Sequence, residues 1–237
     1  ELAGVLNTVY FCPDDLQLIR DGAAARRRFM DQALSQLRPR YDAALTEYGR
    51  LYEHKTRILR DAQEYPSLLE TLPDFNLRMA QCGAVIVYYR ARFCALLAEY
   101  AAGAHRECSG GREELALSYE TVKTVEDPLA PQEVVFEALM RHQREHYQAE
   151  LVSRLCLSGP HKDDISVCIG GTSARAYSSQ GQTRTAALSL KLAERDIFRE
   201  LTGFAPVLLL DDVLSELDPR RQEYVLNRIA GGQVFIT

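Results

Sequence analysis

Four apolar residues in a row, Val207-Leu208-Leu209-Leu210, run straight into two carboxylates, Asp211 and Asp212. A run this short and this apolar reads as a strand covered on both faces, the kind found in parallel sheets. Around it the texture alternates: residues 181–201 and 219–229 read as helices, and Val234-Phe235-Ile236 as another buried strand. The fold class is therefore α/β, with acidic side chains at the C-terminal end of a sheet strand, where open α/β sheets place ligands. Successive strand side chains point to opposite sides, so one carboxylate can hold a hydrated Mg²⁺ while the next faces an attacking water. Phosphoryl chemistry requires that arrangement; two acidic residues before a turn are the plainer alternative.

At 237 residues the chain has room for one large domain or two small ones, and 46% hydrophobic with 26% charged residues is globular composition. The net charge of −5 excludes a polycation that coats nucleic acid, so any DNA contact needs a local basic patch. The longest nearly apolar stretches, residues 83–89 and 205–210, fall far short of the ~18 that a membrane span needs. The six cysteines, Cys12, Cys82, Cys94, Cys108, Cys156 and Cys168, never form C-x-x-C. They are expected to be reduced, mostly buried thiols of a soluble, cytoplasmic protein with no membrane partner. Glu1 in place of Met, and Thr237 directly after an apolar run, suggest a piece cut from a larger protein.

Residues 8–11 resemble a strand stopped by Pro13. Leu34, Leu37, Tyr41, Ala44, Tyr48, Leu51 and Ile58 then recur at spacings of three and four, with Lys55 interrupting the stripe. A second such series, Leu77, Ala80, Ala84, Val87, Ala91, Cys94, Ala98 and Ala101, carries small residues. The simplest assembly is an antiparallel helical hairpin that seats bulky side chains of one helix against small ones of the other. Residues 114–121 read as a strand, residues 131–155 as a helix, and Ile165, Val167 and Ile169 as one arm of a β-hairpin turned by Gly170-Gly171 and returning near residues 174–177.

Asp218 before Pro219 suits a helix N-cap, and Ser178-Ser179-Gln180-Gly181-Gln182 opens a long helix with hydroxyls and an unhindered backbone suited to a phosphate. Either segment alone is explained by helix capping. Together, in the order serine-rich helix start, strand ending Asp-Asp, then Ser215-Glu216-Leu217-Asp218, they resemble the signature loop, Walker B strand and D-loop of ABC-type ATPases. The wording Ser178-Ser179-Gln180-Gly181-Gln182-Thr183-Arg184, Leu208-Leu209-Leu210-Asp211-Asp212-Val213-Leu214-Ser215-Glu216-Leu217-Asp218 and Gly159-Pro160-His161-Lys162-Asp163-Asp164 is similar to the RecF family of bacterial recombination mediators. Phe11-Cys12-Pro13-Asp14-Asp15-Leu16 and Arg27-Arg28-Phe29-Met30-Asp31 extend the resemblance over residues 2–237.

That resemblance implies an incomplete ABC-type ATPase head with an α-helical hairpin lobe: residues 1–25 a remnant of the first lobe, 26–108 the hairpin, and 109–237 the C-terminal part of the head. It implies that two heads sandwich ATP, and that dimerisation on DNA, at single-strand gaps, junctions and duplex, helps RecR and RecO load RecA in the SOS response. By position, Asp211 would serve Mg²⁺ and Asp212 would orient or deprotonate water. An aspartate where many ABC proteins have glutamate implies slow, DNA-stimulated hydrolysis. Ser179, Gln180, Gly181 and Gln182 would face ATP held by the opposite subunit, with Gln180 standing where the general signature has glycine. Ser215, Glu216 and Asp218 would cross the dimer interface.

No G-x-x-x-x-G-K-[ST] occurs in the chain, so the Walker A loop is expected in sequence preceding Glu1, and ATP affinity is expected to be poor in isolation. For DNA, Arg26, Arg27 and Arg28 at a helix start and Arg90 and Arg92 on the second helix are candidate phosphate contacts; ordinary exposed or packed arginines are the alternative. His142-Gln143-Arg144-Glu145-His146 matches H-x-x-E-H, but with no downstream acidic ligand it reads as a solvated helix face. Two further readings stay open: a non-enzymatic DNA- or partner-binding scaffold derived from an ABC head, and another SMC-like ATPase.

Overall fold

The computed structural model describes residues 6–237. In chain order the elements are β1 (Thr8–Phe11), α1 (Gln17–Arg20), α2 (Ala23–Leu37), α3 (Pro39–Asp61), α4 (Leu72–Ser109), β2 (Leu115–Glu120) and α5 (Gln132–Ser153). They continue with β3 (Asp164–Ile169), β4 (Thr172–Ser173), α6 (Ala174–Tyr177), α7 (Gln180–Thr202), β5 (Val207–Leu210), α8 (Pro219–Arg228) and β6 (Val234–Ile236). The chain divides into two compact units. One comprises residues 6–37, Phe93–Ser118 and Ile165–Thr237; the other comprises Arg38–Arg92 and Tyr119–Asp164.

In the first unit the expected parallel sheet is present, in the order β1-β5-β6, with Val9 opposite Leu208 and Leu210 opposite Ile236. Leu208 and Leu210 are buried, as the apolar run requires. Helix α7 packs against β1, α1 and α2, and is enclosed over most of its length, from Thr183 to Phe198. Enclosing a helix on every side forces its charges to find partners. Lys191 Nζ lies 2.6 Å from Glu194 Oε2, and Arg195 donates to the carbonyls of Arg228, Ile229 and Ala230 at 3.2 Å, closing the C-terminal end of α8. The helix stops at Gly203, whose φ of 78° is open to glycine at little cost.

The second sheet, β2-β3-β4, differs from the expected hairpin in its return arm. Pairing ends after Cys168 with Ser173 and Ile169 with Thr172, and residues 174–177 form the short helix α6 instead of a strand.

In the second unit the helical pattern holds with two changes. The stripe expected to continue across residues 26–60 breaks at Arg38, because a residue before proline is pushed out of the helical region; Arg38 sits at φ −141°, ψ 96° and α3 starts at Pro39. The break also separates α2 into the first unit, so the contacts divide the chain at residues 37/38, 92/93, 118/119 and 164/165 rather than at 26 and 108. Residues 1–5 of the expected first segment lie outside the described residues. The small residues Ala80, Ala84 and Val87 seat against Val135, Ala138 and Leu139 of α5 and against Val122 and Val125, so the alanine face receives a third helix rather than the bulky stripe of α3.

Lys55, which interrupts that stripe, is fully buried with Nζ 2.6 Å from Glu150 Oε2 on α5. Glu150 Oε1 also accepts from Leu157 N at 2.7 Å. A second buried node is Arg90, whose guanidinium donates to Tyr41 Oη, the Pro160 carbonyl and Asp163 Oδ2 at 2.8–3.0 Å; Thr121 and Tyr119 donate to the same carboxylate. His142 and Gln143 are buried rather than solvated: His142 Nδ1 pairs with Ser158 Oγ at 2.7 Å, and its ring stacks on His146. Of the cysteines, Cys94, Cys108 and Cys156 are buried and the other three partly so. Burial pushes the Cys94 thiol up to about 12 and the Cys156 thiol up to about 11. Among the described residues no helix is long and apolar enough to cross a membrane.

Removing one member of a buried ion pair strands the other charge. Lys55→Met is therefore expected to destabilise the protein by about 3–5 kcal/mol in urea unfolding. The double change Lys55→Met with Glu150→Gln, which keeps an acceptor for Leu157 N, should recover more than half of that loss; a single variant that unfolds like the parent would contradict the pairing.

Candidate functional site

Strand β5 carries Asp211 to its C-terminal edge and ends before it, at Leu210. Asp211 is half-buried, and its two oxygens are claimed separately: Tyr10 Oη donates to Oδ2 at 2.7 Å, and Thr237 Oγ1 to Oδ1 at 2.7 Å. These hydroxyls arrive from the two neighbouring strands, Tyr10 on β1 and Thr237 just past β6, because both pair with β5 in parallel and all three end together. The Tyr10 hydroxyl, then that of Thr237, holds the Asp211 carboxyl below the usual carboxylate range, and the Tyr10 phenol is pushed up in return. Each oxygen keeps a lone pair, so an ionised, hard oxygen donor faces outward at the strand end.

Asp212 is placed by a turn rather than by strand alternation, which corrects the expected geometry. Its φ is 51°, a left-handed conformation that aspartate tolerates better than most residues. Its N–H donates to Thr237 Oγ1 at 3.3 Å and its Oδ1 accepts from Ser215 Oγ at 2.7 Å. Thr237 therefore ties the two carboxylate residues together, and Ser215 ties Asp212 to the following turn, Leu214–Glu216. Asp218 caps α8 as expected, accepting from Arg221 N at 3.1 Å and pairing with the Arg221 guanidinium at 2.6 Å. Those hydrogen bonds hold its carboxyl low.

The segment expected to be a signature loop opens α7. Ser179 is the N-cap, with Oγ accepting from Gln182 N at 3.2 Å, while Gln182 Oε1 accepts from Ser179 N at 2.8 Å, a reciprocal capping box. The Gln182 amide is fixed on its other side by Glu113, with Nε2 3.0 Å from Oε1. Ser179 and Gln180 are exposed, and a Cβ at Gly181 would meet nothing within 4 Å. Among the described residues nothing crowds a side chain there, and the N–H groups of Gln180 and Gly181, ahead of the capped Gln182 N–H, have no intrahelical acceptor to turn them from an anion.

The five candidate DNA arginines separate. Arg26 is buried and donates to the carbonyls of Leu18 and Asp21 at 3.0 and 2.8 Å, closing the end of α1, and Arg90 is the buried node of the second unit. Neither has a guanidinium available to a phosphate, which corrects the expectation for both. Arg92 lies 3.6 Å over the Tyr88 ring and donates to the Leu129 carbonyl. Arg27 is half-buried, and Arg28 is the exposed one of the five. Tyr10, Thr237 and Glu113 were not singled out from sequence. Strand ends flanking Asp211 were the available signal for the first two, and Glu113 comes from a segment that only folding brings to α7.

No family model matches the chain. Curated DNA replication and repair RecF proteins match it over its whole length: that of Agathobacter rectalis at 40% identity and that of Bacillus subtilis at 38%, of which the chain covers 62% and 64%. A solved structure of the recombination mediator protein RecF with ATP, in the RecFOR pathway, matches with a TM-score of 0.91 at 34% identity, over all of this chain and 63% of that one. A second, described as RecF-ATPrS, gives the same TM-score at 33% identity. The expected fold class, an ABC ATPase-like head with a helical region, stands on that superposition. Matched along its entire length in both sequence and fold, the chain is similar to RecF proteins, and it spans slightly under two thirds of the relatives it matches.

Proposed function

We propose that the chain is the part of a DNA replication and repair ATPase that contributes the carboxylate end of one nucleotide site and the signature surface of a second site, in an opposing copy. The single observation that carries this reading is the strand end. Asp211, kept ionised by two hydroxyls, and Asp212, turned out by a left-handed residue, sit side by side with Ser215 braced against Asp212. A capped helix opening with uncrowded Gly181 supports the second half.

The residues fit Mg²⁺ and a nucleotide in part: carboxylate oxygens suit a hard cation, while the chain has no phosphate-cradling glycine loop of its own. Bound ATP with Mg²⁺ supplies the γ-phosphoryl group and neutralises its charge. Asp211 would hold the hydrated cation through its outward lone pairs. Asp212, its carboxylate oriented by Ser215, would position the attacking water and accept its proton. Ser179, Gln180, Gly181 and Gln182 would present hydroxyl, amide and backbone N–H groups to phosphate held by the opposite copy. Ser215, Glu216 and Asp218 would lie along that shared interface. The short aspartate side chain suits slow hydrolysis that times release of the dimer from DNA, at single-strand gaps, junctions or duplex, with RecR, RecO and RecA as the pathway partners in the cytoplasm. Arg28 and Arg27 remain as candidate phosphate contacts.

In the intact protein, Asp212→Asn should lower DNA-stimulated ATP hydrolysis by at least about 100-fold while ATP-driven dimerisation persists. Unchanged turnover would instead favour a DNA- or partner-binding scaffold that only inherits the head. The Asp211 arrangement makes a separate prediction. A carboxyl whose pKa is depressed on folding stabilises the protein above its ordinary value, and that contribution disappears as pH falls through the depressed one. Tyr10→Phe removes the larger depressing hydrogen bond and leaves that of Thr237, so the Asp211 carboxyl should titrate at higher pH in an NMR titration, and the Asp211 component of acid destabilisation should shrink. A titration identical to the parent's would show that the phenol does not act on the carboxyl.

A further inference from the structure

Behind the opening of α7 lies a relay that the proposed chemistry leaves unused. Glu113, in the segment between α4 and β2, accepts from Gln182 Nε2 at 3.0 Å through Oε1. Its other oxygen, Oε2, lies 3.4 Å from Nε2 of His105, a fully buried side chain near the end of α4. The opposite ring nitrogen, Nδ1, is 3.4 Å from Ser189 Oγ, two turns along α7, and Ser189 donates to the Thr185 carbonyl. Burial favours the neutral ring against the pull of the carboxylate. Glu113 thus lies against the end of α4 while it holds the Gln182 amide in front.

The end of α4 also holds α8. Glu107 Oε2 accepts from Tyr224 Oη and from Arg228 Nη1, both at 2.9 Å, and the Arg220 guanidinium lies 2.8 Å from where a Cβ at Gly110 would stand. One stretch of chain, residues 104–113, therefore touches both helices whose N-termini carry the segments proposed to face a second copy.

We propose that Glu113 is a positioning residue for the second copy's nucleotide: it fixes the Gln182 amide, and with it the capping box that aims the opening of α7 outward. The inference rests on the reading of Ser179–Gln182 as the surface that meets the opposite γ-phosphate. A side-chain amide with two committed partners has one orientation, whereas an amide released by loss of Glu113 pays rotamer entropy at the moment of docking. The effect falls on association of two ATP-loaded copies, because the side-chain contacts of Glu113 among the described residues are to Gln182 and His105, away from Asp211 and Asp212 of its own copy.

The test uses the intact protein and two readouts: binding of a fluorescent ATP analogue at protein concentrations too low for dimers, and the ATP-dependent dimer Kd by analytical ultracentrifugation. Glu113→Ala should weaken dimerisation about ten-fold, a loss expected for one charge-assisted hydrogen bond, with nucleotide binding by single copies unchanged. Glu113→Gln, which keeps an acceptor for Gln182, should restore dimerisation to near the parent's. Glu113→Asp keeps the charge but shortens the reach, so it serves in place of alanine should that variant fold poorly. In a Gln182→Ala background the alanine change should add no further loss. Parental dimerisation in both Glu113→Ala and Glu113→Asp, or additive losses with Gln182→Ala, would overturn the inference. Ser179→Arg separates the two ideas: if it leaves dimerisation intact the signature reading itself falls, and if it abolishes dimerisation while the Glu113 variants do not, only the role of Glu113 falls.

Discussion

The first unit depends on one short strand being wholly committed to its neighbours. β5 is hydrogen-bonded along both edges, to β1 and to β6, and its alternate residues Leu208 and Leu210 are buried, so it has no freedom to slide or turn over. Parallel pairing with both partners brings three strand ends to one level. That is why a phenol, a carboxylate and a threonine hydroxyl from distant parts of the chain meet at Asp211. The backbone can then leave the sheet in a left-handed step at Asp212 without disturbing the strand, because the bonds on either side of β5 already fix what precedes it.

Around this sheet, enclosure turns charge into structure. α7 is enclosed over most of its length, and two of its charges hold α8, Arg195 at the carbonyl end and Asp196 on Arg228, while Lys191 pairs with Glu194 on α7 itself. The second unit follows the same logic with Lys55–Glu150 and with Arg90–Asp163. Paired and hydrogen-bonded charges of this kind give weak net stability but penalise any alternative packing that would separate them.

What could be read from the sequence was local. The apolar run before Asp211, the serine cap of α7 and the Asp218-Pro219 start of α8 each stand where expected, because burial, capping and proline act within a few residues. The break at Arg38 was also readable, since Pro39 forbids the preceding residue a helical conformation, but an unbroken apolar stripe concealed it. The fate of the arginines was not readable. Arg26 and Arg28 lie two residues apart on one helix, yet one closes α1 from inside and the other is exposed, a difference decided by which face α2 presents to the rest of its unit. The alanine stripe of α4 likewise could not declare whether α3 or α5 would fill it. Tyr10, Thr237 and Glu113 act across separations that no spacing rule spans.

The buried cysteines give the two units separate clocks. Cys94 sits in the first unit and Cys156 in the second, and burial holds both thiols far from the reactive thiolate at neutral pH. Each therefore meets an alkylating reagent only when its own surroundings open. Cys156, close to the Lys55–Glu150 pair, reports on the helices that pair joins, and Cys94 on the packing around the middle of α4. The chain thus carries, without any label added, a means of timing the opening of one unit independently of the other.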